Sequence, residues 1–455
     1  METLGVLSSI TLLKSIAYIL YEYLLEFSSS YTTVYQHKLN GFHFTNYVNP
    51  LRNMYPLFHS GRTYIELLRE SHFINSISLK NTNYVLDSIQ LHPLVLKPLN
   101  FYLFGTPFSY TVKYFIIIAL IDLITAISFK YLMHNAQYLD NSWQFDIEYP
   151  DKFAIYYLLN PISIISNFCL SMDNLNYMLI VLALLVITHD TTVYEFKALK
   201  QKLGDGNKFI IDIGIDICHN CIFFTLLGFI YQINSINHIC TVFALGFIMY
   251  RYRIDTIVYD VAKSRRNYIR ITYGITCILS FFAHHYTIKT LSNMLGGIKF
   301  FKNISLGHFN SAYLPNLSIY WYIFLVIPTM YVEAAKLLLD YHVLLYLFPL
   351  AMKFGDTPTI LLTLLTSISF VTSDTLSVSD ISFCLVLMMM KYDTIKKQQF
   401  SKKIVFLVLA LTLCVINLIT CVGRTTSNPN YYFMTQMLSV FIFIIILNDY
   451  INVVK

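Results

Sequence analysis

Long apolar runs alternate with short polar stretches along most of this chain. "IVFLVLALTLCVINLITC" and "MLSVFIFIIIL", for example, flank "GRTTSNPNYYF" at residues 423–433. A helix that crosses a bilayer needs about 20 mostly apolar residues. On that measure the pattern predicts helices near 5–26, 110–132, 152–170, 175–190, 209–231, 236–250, 271–285, 330–352, 357–372, 379–391, 404–422 and 431–450. The segments at 175–190 and 379–391 are short, and such pieces can be tilted, half-buried or re-entrant. The expected fold is all-α: a polytopic transmembrane bundle of about 12 spans, read as a single transmembrane domain over 1–455.

Composition supports a lipid-solvated protein. Of 455 residues, 56% are apolar and 13% charged, against about 25% charged in an ordinary soluble domain. One soluble core cannot hide that much apolar surface, so the exterior must itself be apolar. The first run carries Lys14 and lacks a small-residue cleavage site, and so reads as a retained span. The eight Cys residues lie almost entirely in apolar runs and offer no disulfide framework. Cys218 and Cys221, in "CHNC", read as small packing residues. Net charge is +6, but no basic tract of the kind that follows a phosphate backbone occurs, so no nucleic-acid partner is expected.

Loop charge suggests an orientation. Lys197, Lys200, Lys202 and Lys208 crowd one loop. Arg251, Arg253, Lys263, Arg265, Arg266 and Arg270 crowd a second, and Lys391, Lys396, Lys397, Lys402 and Lys403 a third. With twelve spans and a cytosolic amino terminus, all three loops are cytosolic, in keeping with the positive-inside rule. This requires 317–352 to cross once, with Pro328 dividing a short piece from the crossing helix. The lumenal loops are then 27–109, much the largest, and about 286–316, 373–378 and 423–430. Asn303-Ile304-Ser305 is a glycosylation sequon on that side.

Candidate chemistry is sparse. A transferase using a lipid-phosphate sugar donor needs acids at the start of the first lumenal loop. There the chain reads "LLEFSSSYTTVYQHKLNGFHF", with Glu26 as the only acid. Asp212, Asp216 and His219 share a helix face; Asp212 reads as lying near the cytosolic interface and the others as pairing within the bundle, or alternatively the set lines a polar cavity or a subunit contact. Glu333, Lys336 and Asp340 compensate one another at helical spacing. Asp122 reads as a bundle pair or cap. His284 and His285 read as interfacial histidines that open a lumenal loop, without neighbours to complete a metal set, and no cofactor motif occurs. No catalytic set is expected.

Several ordered stretches resemble the PIG-U family. "YYLLNPISIISNFCLSMDNLNYMLI" (156–180), "PNLSIYWYIF" (315–324) and "TSNPNYYF" (426–433) followed by "LNDYI" (447–451) are similar to family segments. "IQLHPLVL" (89–96) and "IDLITAIS" (121–128) match more loosely. Residues 27–88 depart from the family pattern: "LLRESHF" stands where the family has a Glu-Gly.

The resemblance implies a non-catalytic subunit of the glycosylphosphatidylinositol (GPI) transamidase, a multi-pass protein of the endoplasmic reticulum membrane. Such a subunit presents the GPI lipid for attachment to the carboxyl end of proproteins. The implied partners are other subunits, including a caspase-like catalytic one. It further implies an architecture similar to lipid-linked-sugar glycosyltransferases. The alternative is a glycosyltransferase of the endoplasmic reticulum using a lipid-linked sugar donor. The implied lipid-binding residues are Asn428, Asn430, Tyr431 and Tyr432, with Asn160, His92 and Asp449 as secondary candidates. Asn amides offer uncharged donors and acceptors. Pro429 restricts the backbone between the two Asn residues, and tyrosines suit a membrane interface. An ordinary Asn-Pro turn with an aromatic belt is the competing reading.

Overall fold

The structure, a computed structural model, describes residues 2–36, 110–136, 149–171, 173–188, 218–231, 239–258, 263–296, 317–355, 357–373, 376–390, 400–424 and 429–454. Among these residues all regular structure is helical. In chain order the helices are α1 (Glu2–Gln36), α2 (Tyr110–Ala136), α3 (Tyr149–Leu159), α4 (Pro161–Phe168), α5 (Asp173–Thr188), α6 (Cys218–Tyr231), α7 (Ile239–Val258), α8 (Lys263–Gly296), α9 (Tyr320–Val326), α10 (Val332–Tyr341), α11 (Leu344–Phe354), α12 (Pro358–Val371), α13 (Val378–Met389), α14 (Phe400–Arg424) and α15 (Pro429–Val454). Each apolar run read from the sequence contains helix. The expected sites His92, Asn428, Asp212 and Asp216, the sequon at 303–305, and the first long loop beyond Gln36 lie outside the described residues.

Proline and capping chemistry set the breaks. The run 152–170 folds as two helices, because Pro161 opens α4 and Asn160 caps it. Proline suits a first helical position, where its missing N–H has no intrahelical partner to lose. At 11 and 8 residues, α3 and α4 are each far short of the length of about 20 that a crossing requires. α4 closes with paired bonds, Ser171 N–H to Ser166 O at 3.2 Å and Leu170 N–H to Asn167 O at 2.9 Å. This is a Schellman closure, with Leu170 at φ 60° where glycine is usual. α9 stops at Ile327, whose ψ of 135° is the extended conformation that a following proline, Pro328, imposes. α13 starts from a capping box between Ser377 and Asp380.

Helix length and surface chemistry sort the elements into two layers. α5, α12 and α13 are nearly all buried and carry many of the buried hydroxyls, amides and carboxylates: Asp173, Asn174, Thr363, Thr366, Ser379 and Asp380. At 1.5 Å per residue, the 12-residue α13 is only about 18 Å long, short of the roughly 30 Å hydrocarbon core. Helices α1, α8, α14 and α15 instead expose large apolar side chains, including Leu13, Leu279, Phe406 and Phe441. Polar groups inside and apolar groups outside is the arrangement lipid demands.

α2 packs on α1, α3 and α5; α7 on α12; and α14 on α15. Among the described residues, four segments are long and apolar enough to cross a membrane: Thr3–Tyr21, Val112–His134, Leu337–Phe354 and Asn430–Asn452. Two readings need correction. α8 runs unbroken to Gly296, so His284 and His285 sit within a helix and open no loop. Cys218 and Cys221 are exposed and are not packing residues.

Candidate functional site

The first turn of α15 is built against the segment 317–322, more than a hundred residues earlier. Four side chains of "LSIYWY" reach four different partners. Ser318 Oγ donates to Ser373 O at 2.6 Å, and Tyr320 Oη to Leu339 O at 3.0 Å. Trp321 Nε1 donates to Gln436 Oε1 at 2.8 Å, and Tyr322 Oη to Asn430 Oδ1 at 3.0 Å. Gln436 is fully buried. Its amide nitrogen donates to Leu317 O at 2.8 Å and also to Ser318 O. A glutamine in an apolar helix is costly unless each polar atom is matched, and here each is. Aromatic rings complete the joint. Tyr322 stacks on Phe433 with centroids 4.0 Å apart, and Trp321 lies 5.7 Å from Tyr432.

This joint fixes which residues of the first turn face outward. Asn430 and Tyr431 are exposed, Tyr431 at 68%. Tyr432 is turned inward and fully buried against Trp321. Of the two tyrosines expected at a membrane surface, Tyr431 is thus exposed, whereas Tyr432 is buried and anchors the helix.

The two secondary candidates within the described residues lie elsewhere. Asn160 Oδ1 accepts from Ile162 N at 3.1 Å, and its Nδ2 donates to Ser382 Oγ at 2.7 Å. Its polar atoms cap α4 and tie it to α13. Asp449 is paired with Lys403 at the start of α14. It lies about 28 Å along α15 from Asn430 at 1.5 Å per residue, at the other end of the helix. α14 and α15 run antiparallel, since Asn417 meets Thr435 while Lys403 meets Asp449. The basic start of α14 and the Asn430 turn are thus at opposite ends of the helix pair.

A second polar region lies inside the bundle. Lys14 of α1 pairs with Asp122 of α2 at 2.7 Å, both buried. Asn167 Nδ2 donates to the same carboxylate at 3.0 Å and Ser163 Oγ at 3.4 Å. Asn174 Nδ2 donates to Asn167 Oδ1. Beside this group, on the same side of α5, Tyr177 Oη donates to Asp380 Oδ1 at 2.7 Å and Ser379 Oγ to Asp173 Oδ2 at 3.1 Å. A small cavity, with room for about one water molecule, separates the two groups and is lined by Asn160, Ser163, Asn174, Tyr177 and Ser382. Asp122 thus pairs within the bundle. Among the described side chains no cluster of three or more His, Cys, Asp or Glu residues could hold a metal.

The residues that sequence reading passed over are Ser318, Trp321, Tyr322 and Gln436. The first three lie in a stretch whose resemblance was visible but whose role was not. Gln436 carried a readable signal, as an uncharged polar side chain in an otherwise apolar span.

The polar interior, the apolar exterior and the four long apolar segments among the described residues define a multi-pass membrane protein. Residues 54–439 match the family described as GPI transamidase subunit PIG-U. The chain belongs to the PIG-U family and is thereby a subunit of the complex that attaches GPI anchors to proteins. No individual curated protein matches it.

Proposed function

We propose that this chain is the non-catalytic, lipid-presenting subunit of GPI transamidase in the endoplasmic reticulum membrane. Asn428, Asn430 and Tyr431 meet the GPI headgroup at the lumenal surface, and a caspase-like partner subunit carries out the cleavage and transfer. One observation carries the reading: Asn430 is exposed at the end of a candidate span, held by Tyr322 beside exposed Tyr431. Its amide supplies uncharged donors and acceptors suited to inositol and sugar hydroxyls and to phosphate oxygens.

Orientation supports it. Lys402 and Lys403 lie at the opposite end of the α14–α15 pair, and excess Lys and Arg mark the cytosolic side. The Asn430 end then faces the lumen, at headgroup depth. Tyr431 suits that depth, with its ring toward lipid and its hydroxyl toward water. Tyr432 supports the site from within.

Replacing both Asn428 and Asn430 with Ala tests the reading in cells whose own copy is deleted. The expected result is reduced GPI attachment to a reporter proprotein, with the complex still recovered intact. Normal attachment in that double variant removes this turn from the lipid site.

A further inference from the structure

We infer that Tyr322 is a positioning residue of the headgroup site: it holds the Asn430 amide in one orientation for the lipid. The inference rests on the reading of Asn430 given above and assigns a role to a residue more than a hundred positions away. Tyr322 Oη donates to Asn430 Oδ1 at 3.0 Å. A free surface asparagine rotates about its terminal torsion and can present either its carbonyl or its N–H₂ edge. A phenol donating to Oδ1 sets the amide plane and fixes the carbonyl on the Tyr322 side.

The hydroxyl is itself well anchored. The Tyr322 ring stacks on Phe433 at 4.0 Å and 16°, one turn along the same helix as Asn430. The adjacent Trp321 is fully buried and bound to Gln436. Tyr320, one residue before it, is bound to Leu339 O. The chain on the amino-terminal side of the phenol is therefore fixed to α10 and to α15, and the phenol ring is fixed to α15 directly. Preorganising a polar group lowers the ordering cost of binding, so the hydroxyl contributes to lipid affinity through Asn430 without touching the bond being formed.

The test uses the purified complex with a GPI lipid and an acceptor proprotein, in variants Y322F, N430A and Y322F/N430A. Y322F keeps the ring and its stacking and removes only the hydroxyl. The expected result is a KM for the lipid raised about 3- to 10-fold in Y322F, the scale of one net hydrogen bond, with kcat unchanged within about twofold. N430A raises KM at least as much, and the double variant is no worse than N430A alone. A normal KM in Y322F beside a raised KM in N430A overturns the positioning role and leaves the headgroup reading standing. So does a fall in kcat or in complex yield at unchanged KM, or a double variant whose effects multiply. Normal KM in both single variants overturns the headgroup reading together with the inference.

Discussion

Trp321 and Gln436 meet in the protein interior through an N–H···O hydrogen bond of 2.8 Å, 115 residues apart in the chain. The same glutamine donates to the carbonyls of Leu317 and Ser318. One side chain of the last helix thus satisfies three groups of a segment that is too short and too bent to span by itself. The contact explains how two stretches that each resemble the PIG-U family come to form one surface.

Replacing Gln436 with Leu leaves the Trp321 N–H and two carbonyls without this partner in a buried site. Each orphaned group costs about 1–3 kcal/mol. The expected outcome is a clear fall in the thermal stability of the detergent-solubilised complex. Adding Trp321→Phe removes one of the orphaned groups and should recover part of the loss, so a double variant less stable than Gln436→Leu would contradict the assignment.

The Lys14–Asp122 pair gives a second prediction. Removing one partner of a buried ion pair costs about 3–5 kcal/mol, whereas removing both can be close to neutral. Lys14→Met and Asp122→Asn should each lower the yield of folded chain, and the double variant should recover much of it. Asp122 also accepts from Asn167, and an amide at position 122 keeps a carbonyl for that bond. Equal losses in the single and double variants would show that the ion pair is not what joins α1 to α2.

Asn160 separates stability from lipid binding. Asn160→Ala removes the cap of α4, at about 1 kcal/mol, and strips Ser382 of its donor. Asn160→Asp keeps the capping oxygen and loses only the N–H donation to Ser382. Thermal stability should therefore fall in the order native, Asp, Ala, while KM for the GPI lipid stays unchanged. A raised KM at native stability would make Asn160 a ligand contact.

Much of the helical layout was legible in the sequence because it depends on local chemistry. Apolar runs gave the helices, and Pro328 marked a break that the chain obeys; Pro161 breaks the run read as one helix over 152–170. Tyr431 and Tyr432 show where more could have been read. At 3.6 residues per turn, Tyr432 shares a face with Gln436, Ser439 and Phe443, all buried, while Tyr431 shares one with the exposed Met434, Leu438 and Phe441. Helical periodicity alone therefore tells the inward tyrosine from the outward one. The partnership of Tyr322 with Asn430 had no such signal, since a contact across 108 residues follows from packing that local pattern does not encode. The number of crossings was only partly legible. The run at 379–391 reads as short for a span, and the surrounding helices then show that its 12-residue helix, α13, is interior.

Contact between the amino-terminal turn of α15 and the GPI headgroup is open to photocrosslinking from position 431. The side chain there is 68% exposed and tolerates a bulky aromatic photoreactive residue. In the assembled complex supplied with a radiolabelled GPI lipid, irradiation should label the chain strongly from position 431 and only at background from position 452, at the other end of the same helix. Equal labelling from both ends, or none from position 431, would contradict the account.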